Sequence, residues 1–215
     1  MHRLRVRFKR GPEVKFISHL DLIRLWQRAL HRAGIPLAYS EGFSPHPRIS
    51  LAAPLPIGIT SEAELMDIYL SKWVSPHSFT AALKQELPKG IELLGAYLIP
   101  LSQPSLQSQV RFAEYVVSVN TEKGETEIES DIVDLLSSEH LPWQHYRDTG
   151  PRNYDLRELI SDLWLARWQP SQSTLGMRLR CDSSGSGRPE QVSLALGFTG
   201  RPQSIHRTKL VLQTA

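Results

Sequence analysis

From Arg3 to Lys9 apolar and polar residues alternate strictly, with Leu4, Val6 and Phe8 on one side and Arg3, Arg5, Arg7 and Lys9 on the other. A period of two predicts a strand with one buried face. Its polar face is wholly cationic. The period then changes to that of a helix, carried by Leu22, Leu25, Trp26, Ala29, Leu30 and Ala33. Ser18 with Asp21 three residues later forms a capping pattern at its start, and Gly34 followed by Pro36 ends it. Arg24, Arg28 and Arg32 recur every four residues and make a second, basic stripe on the same helix.

Residues 37–61 hold Pro45, Pro47, Pro54 and Pro56, which remove amide donors and fix φ, so this segment is expected to be a rigid loop with strand fragments around Ile49 to Ala53. Glu64 to Leu70 reads as a strand. Ser75-Pro76 opens a second helix whose apolar side is Phe79, Ala82, Leu83 and Leu87, and Ile91 to Ile99 reads as a closing strand. The order β-α-β-β-α-β over residues 1–100 is the split arrangement of ferredoxin-like domains.

Pro100 to Gln109, rich in Ser and Gln, is the expected linker. A second α+β domain is expected over residues 110–215. Its strands are Glu114 to Asn120, Leu141 to Arg147, Leu175 to Cys181 and Ile205 to Leu212. Its helices are an acidic one over Glu125 to Ser138, with Ile128, Ile132, Val133, Leu135 and Leu136 inward, and another over Glu190 to Phe198. Asp155 to Trp168 fits poorly and reads as a strand followed by a short helix. The expected fold class is therefore α+β, with two ferredoxin-like (βαββαβ-type) domains, the second irregular.

Composition narrows the function classes. The 215 residues are 40% hydrophobic and 22% charged, and no apolar run approaches the roughly 20 residues of a spanning helix. The basic residues at the start are not followed by an apolar secretory segment, so a cytoplasmic location is expected, with no membrane partner. A single cysteine, Cys181, excludes an internal disulfide or a cysteine-held cluster, and reads as a small buried residue. No GxSxG, HExxH or EF-hand pattern is present, and the eight histidines form no ligand spacing, so neither a metal nor another cofactor is expected.

Charge changes the picture more. Between Met1 and Arg48 ten basic residues face three acidic ones, Glu114 to Glu139 is acidic by seven charges, and basic residues return after Pro151. Two basic ends of a chain suit a polyanionic partner if the fold places them together. The most unusual segment is Tyr39 to Arg48, where Tyr39, Ser40, Glu41, Phe43, Ser44, His46 and Arg48 are held by two prolines, a composition suited to gripping a ligand at small entropic cost. The candidate nucleic-acid-binding set is these seven with Arg5, Arg7, Arg24 and Arg28, and with Arg152, Arg157 and Arg188 from polar loops of the second half. His19, at a helix start where anions are favoured, and His46 are the candidates for acid-base catalysis.

The runs Phe16-Ile17-Ser18-His19-Leu20-Asp21-Leu22, Arg28 to Ile49, Leu55-Pro56-Ile57-Gly58 and Ser61-Glu62-Ala63-Glu64 resemble a bacterial radical-SAM-linked protein family, a domain of unknown function. Tyr154-Asp155-Leu156-Arg157 and Arg188-Pro189-Glu190 are similar to its later, looser motifs. The resemblance implies a chain that works with a radical SAM protein, in a setting of RNA processing, and carries over no established reaction. Since no radical SAM cysteine motif is present, it implies a partner on a separate polypeptide. A looser, fold-level similarity is to the Cas6-type CRISPR RNA endonucleases, which cut RNA without metal.

The sequence is thus read first as a non-catalytic RNA-binding accessory protein working with a separate radical SAM enzyme in RNA modification or processing. The alternatives are a metal-independent RNA-cleaving or RNA-modifying enzyme using His19 or His46, and a protein-protein scaffold using the acidic helix around Glu125 to Asp134.

Overall fold

The computed structural model describes residues 1–147 and 150–213. The chain divides into two units, Met1–Val110 together with Gln213, and Arg111–Leu212.

The first unit runs β1 (His2–Arg10), α1 (His19–Arg32), β2 (Ile49–Leu51), β3 (Thr60–Leu70), α2 (Pro76–Lys84), β4 (Ile91–Ile99) and the single turn α3 (Leu106–Gln109). Strand β1 pairs antiparallel with β3 and β4, and β2 pairs antiparallel with β3, giving the order β4-β1-β3-β2 of a ferredoxin-like sheet. Leu4, Val6 and Phe8 turn their fully buried side chains toward α1 and α2, and the Phe8 ring meets Trp26 edge-on at 4.8 Å. Helix α1 starts where the Ser18 hydroxyl accepts from the Asp21 N–H and donates to its carboxylate. It ends at Gly34, whose φ of +64° lets the Ile35 N–H reach back to the Leu30 carbonyl.

The other, cationic face of β1 is not open to solvent along its whole length. Arg3 and Arg5 are buried, and both donate to Asp67 on the neighbouring strand. Arg3 also donates to the carbonyls of Gln103 and Pro104, and Arg5 to Gln109 Oε1. Residues 100–109, expected as a linker, belong to the first unit and lead up to its boundary. They are anchored to β1 and end in α3, capped by Ser105.

The second unit runs β5 (Val110–Asn120), α4 (Glu125–Ser137), β6 (Pro142–Arg147), β7 (Gly150–Asp155), β8 (Ile160–Gln169), β9 (Gln172–Asp182), β10 (Gly185–Ser186), α5 (Pro189–Ala195) and β11 (Ser204–Leu212). Strand β5 lies between β9 and β11, and β9 pairs antiparallel with both β5 and β8. The order β11-β5-β9-β8 is the βαββαβ order again. Its irregularity comes from the inserted hairpin β6-β7 and the short strand β10 beside β9.

Three expectations change in this unit. Asp155 to Trp168 is the end of β7, a 3-10 turn at Arg157–Leu159, and then a strand rather than a helix. Val133 is exposed, leaving Ile128, Ile132 and Leu135 as the buried side of α4. Cys181 is half-buried on β9, outside the apolar core.

Candidate nucleic-acid interface

The proline-rich segment folds as a narrow hairpin rooted on the edge of β3. The Ala38 N–H donates to the Tyr69 carbonyl at 2.8 Å, the Tyr69 N–H to that of Arg48 at 3.0 Å, and the Arg48 N–H to that of Ala38 at 2.8 Å. The stem continues through Ser40, whose N–H meets the His46 carbonyl and whose hydroxyl accepts from the His46 N–H. Glu41-Gly42-Phe43-Ser44-Pro45 forms the tip, with Gly42 at a φ of +121° that favours glycine.

This geometry decides what each side chain does. Ser40 serves the stem. Glu41, Ser44 and the His46 imidazole are exposed, Tyr39 is 51% exposed, and Phe43 shows 109% relative exposure, so its ring has no packing partner among the described residues. Arg48 lays its guanidinium 4.5 Å from the centre of the Tyr69 ring, and its Nη1 reaches Met1 Sδ at 3.2 Å. Buried Arg3 approaches the same ring at 5.8 Å. Tyr69, which sequence reasoning did not single out, thus orients Arg48.

The remaining basic candidates of this unit do not gather around the hairpin. Arg5 is corrected outright, since a guanidinium that is 3% exposed and bound to Asp67 is not available to a phosphate. Arg7, on the same face of the sheet, is exposed and makes no ion pair among the described residues. Arg24 and Arg28 lie on the opposite, helical side, in a groove of about 490 Å³ that Asp21, Leu25, Arg32, Glu86, Leu87 and Pro88 also line. Arg24 pairs with Asp21 at 3.2 Å and Arg32 with Glu86 at 2.6 Å, while Arg28 has no ion-pair partner among the described residues. The hydrogen bond from Ser18, opposed by partial burial and helped by Arg24, holds the Asp21 carboxyl below its ordinary value. His19 is the exposed first residue of α1, and neither it nor the His46 imidazole has an orienting carboxylate among the described residues.

In the second unit Arg157 is also corrected as an anion contact. Its guanidinium donates to the Leu136 carbonyl at the end of α4 and to the Ile160 carbonyl, closing the turn into β8. Arg188 is exposed and reaches His145 Nε2 at 3.0 Å, and exposed Arg152 stands opposite His145 across the hairpin. A groove of about 580 Å³ on this hairpin is lined by His140, Pro142, Trp143, Gln144, Asn153, Tyr154 and Asp155. There His140 Nδ1 lies 2.7 Å from Asp155, whose other oxygen accepts from the Leu141 and Arg157 N–H groups. The Leu141 bond first, then His140, hold the Asp155 carboxyl below its ordinary value. Among the described residues no group of three His, Cys, Asp or Glu side chains is placed to hold a metal ion, and no helix is long and apolar enough to cross a membrane.

No curated protein matches the chain in sequence. Solved structures match it in fold. A chain in a Cbf5-Nop10-Gar1 complex is 8% identical, with a TM-score of 0.54 over 96% of this chain and 48% of that one. A chain of the archaeal box H/ACA sRNP Nop10-Cbf5 complex is 9% identical, with a TM-score of 0.50 over 97% and 48%. One from an H/ACA RNP bound to a substrate RNA is 8% identical, with a TM-score of 0.50 over 96% and 47%. The chain spans about half the length of these matched chains. A family model described as an uncharacterized protein conserved in bacteria (DUF2344) matches residues 3–189, the first unit's named elements and the second unit as far as the start of α5, and the chain belongs to that family.

Proposed function

We propose that the chain is an RNA-binding accessory module that works with a radical SAM enzyme on a separate polypeptide, in RNA modification or processing. The observation that carries the reading is the hairpin tip: Phe43 is held fully in solvent on a stem that backbone hydrogen bonds and two prolines have already ordered. A ring so placed contributes nothing to packing. It loses little entropy when an unpaired base stacks on it. Arg48, oriented by Tyr69, is the cation for the adjoining phosphate, while Arg7 on the exposed part of the sheet face and Arg24 and Arg28 on the helical side are separate phosphate contacts. The resemblance of residues 16–64 supports the radical SAM partnership, and the H/ACA ribonucleoprotein likeness supports an RNA-directed role at the level of fold.

The test is fluorescence anisotropy of the full chain with a labelled single-stranded RNA at graded salt. Affinity should fall steeply between about 50 and 200 mM salt, and the Arg24→Ala, Arg28→Ala double variant should reduce that slope. Binding indifferent to salt contradicts the proposal. One observation favours a second reading, metal-independent RNA cleavage: the His140–Asp155 pair orients an imidazole beside the aromatic groove of the β6-β7 hairpin. Fragments formed from RNA in the presence of chelator, and lost in His140→Ala, would favour it. Fragments lost instead in His19→Ala or His46→Ala would move the catalytic group to the first unit.

A further inference from the structure

On the sheet face of the second unit that turns away from α4 and α5, one aromatic ring has an unusual seat. Leu163, Leu175 and Met177 are buried in the core and half-buried Leu165 alternates with them, which places Trp164 and Gly176, directly paired on β8 and β9, on the other face. A Cβ added to Gly176 would stand 2.0 to 2.4 Å from the Cε2, Nε1 and Cζ2 atoms of Trp164. The indole therefore lies against bare backbone, the close approach for which a strand glycine is kept. Trp164 is 38% exposed, and its N–H has no hydrogen-bond partner among the described residues.

Charge flanks the ring on both sides along β9. Two residues beyond Gly176, Arg178 spends Nε and Nη2 on Glu114 and stays 40% exposed. Two residues before it, Thr174 pairs with exposed Arg167, which has no ion-pair partner among the described residues. Lys209 approaches Glu114 at 4.0 Å from β11. Arg180, paired with Asp182 at 3.4 Å, shares this face, so four cations stand against Glu114, Asp162 and Asp182 and leave an excess of one positive charge. Successive same-face positions on a strand are about 6.8 Å apart, close to the spacing of a nucleic-acid backbone that exposes one base per step.

We propose that Trp164, seated on Gly176, is a stacking platform for an unpaired base of single-stranded RNA, with Arg167 and Arg178 meeting the phosphates on either side. This rests on the RNA-binding reading above and gives it a second contact, one with a free aromatic face and adjacent cations. A double helix keeps its bases stacked on one another, so the platform takes single strands.

The experiment measures anisotropy of the full chain with fluorescein-labelled single-stranded oligouridylate and with an RNA duplex of equal length. The variants are Trp164→Ala, Trp164→Phe and Gly176→Ala, each checked by thermal unfolding. Trp164→Ala is expected to weaken oligouridylate binding about tenfold with an unchanged salt slope, because stacking is lost and charge is not. Gly176→Ala, which keeps the indole but pushes it off its seat, is expected to weaken binding in the same sense, and Trp164→Phe to retain most of it. Wild-type affinity in Trp164→Ala with a lowered unfolding temperature would overturn the platform alone, leaving the ring as a cover for the glycine. Preference for the duplex would overturn it as well. A wild-type chain that binds neither RNA would overturn the RNA reading itself.

Discussion

Substituting Asp67 by Asn tests the most consequential departure from a solvated cationic strand. Asp67 is 1% exposed and accepts from Arg3 Nε at 2.8 Å, from Arg3 Nη2, and from Arg5 Nε and Nη2 at 2.7 and 3.0 Å. Asn keeps the shape but removes the charge. It also turns an amide N–H toward guanidinium donors that have nothing to accept with. Breaking a buried ion pair by removing one partner costs about 3–5 kcal/mol, because the other charge stays buried, and here two cations lose their shared anion. A loss of about 3–5 kcal/mol is a large part of the roughly 5–15 kcal/mol that holds a domain folded. In urea, at a slope of about 1–3 kcal/mol per molar, the midpoint should fall by more than about 1 M. Circular dichroism and tryptophan fluorescence follow the transition. The control is Glu92→Gln, which breaks the exposed Lys9–Glu92 pair and should cost less than about 1 kcal/mol. If Asp67→Asn costs no more than the control, the two guanidinium groups are solvated, and Arg5 returns to the set of phosphate contacts.

Other expected outcomes concern the core, the caps and pH. Trp26→Ala, which empties the space against Phe8, should cost about 3–5 kcal/mol in the same unfolding assay. Ser18→Ala should cost about 1 kcal/mol, and an NMR titration of the variant should find the Asp21 carboxyl moved back up toward its ordinary value. Asp21 and Asp155 both titrate lower in the folded chain than unfolded, so the stability they contribute is complete above about pH 4. It should be lost as pH falls through their native values, and a midpoint that rises on acidification below pH 4 would contradict the assignment. Gly34→Val, which forces a branched side chain into the left-handed region that ends α1, should cost about 1–2 kcal/mol.

Local pattern carried a good part of the fold. The alternation at Arg3 to Lys9, the caps at Ser18 and Ser75 and the closing strand Ile91–Ile99 are set by neighbours in sequence, and the structure places those elements where the periods put them. What local pattern could not supply was distant partnership. Whether Arg5 meets water or a carboxylate depends on Asp67, 62 residues away, and on Gln109, 104 residues away. In the second unit the inserted hairpin separates α4 from β8, and β8 carries register shifts at Ile160/Asp162 and Leu165/Arg167 that break its period of two. Those shifts interrupt the alternation around Trp164, so the sequence pattern does not mark its ring as lying on the outer face. The segment 39–48 was legible as a rigid loop because prolines limit the backbone, but its closure as a hairpin on β3 was not. Nor was its neighbour Tyr69, since only the pairing with Arg48 brings the two together.

Photo-crosslinking a 4-thiouridine-containing single-stranded RNA to the full chain, and locating the attached peptides by mass spectrometry, tests the RNA-binding claim most directly. Adducts should fall within residues 39–48, with a second set on the β8 peptide that carries Trp164, and Phe43→Ala should deplete the first. RNA attached only to peptides elsewhere, or no RNA attached at all, would contradict the account.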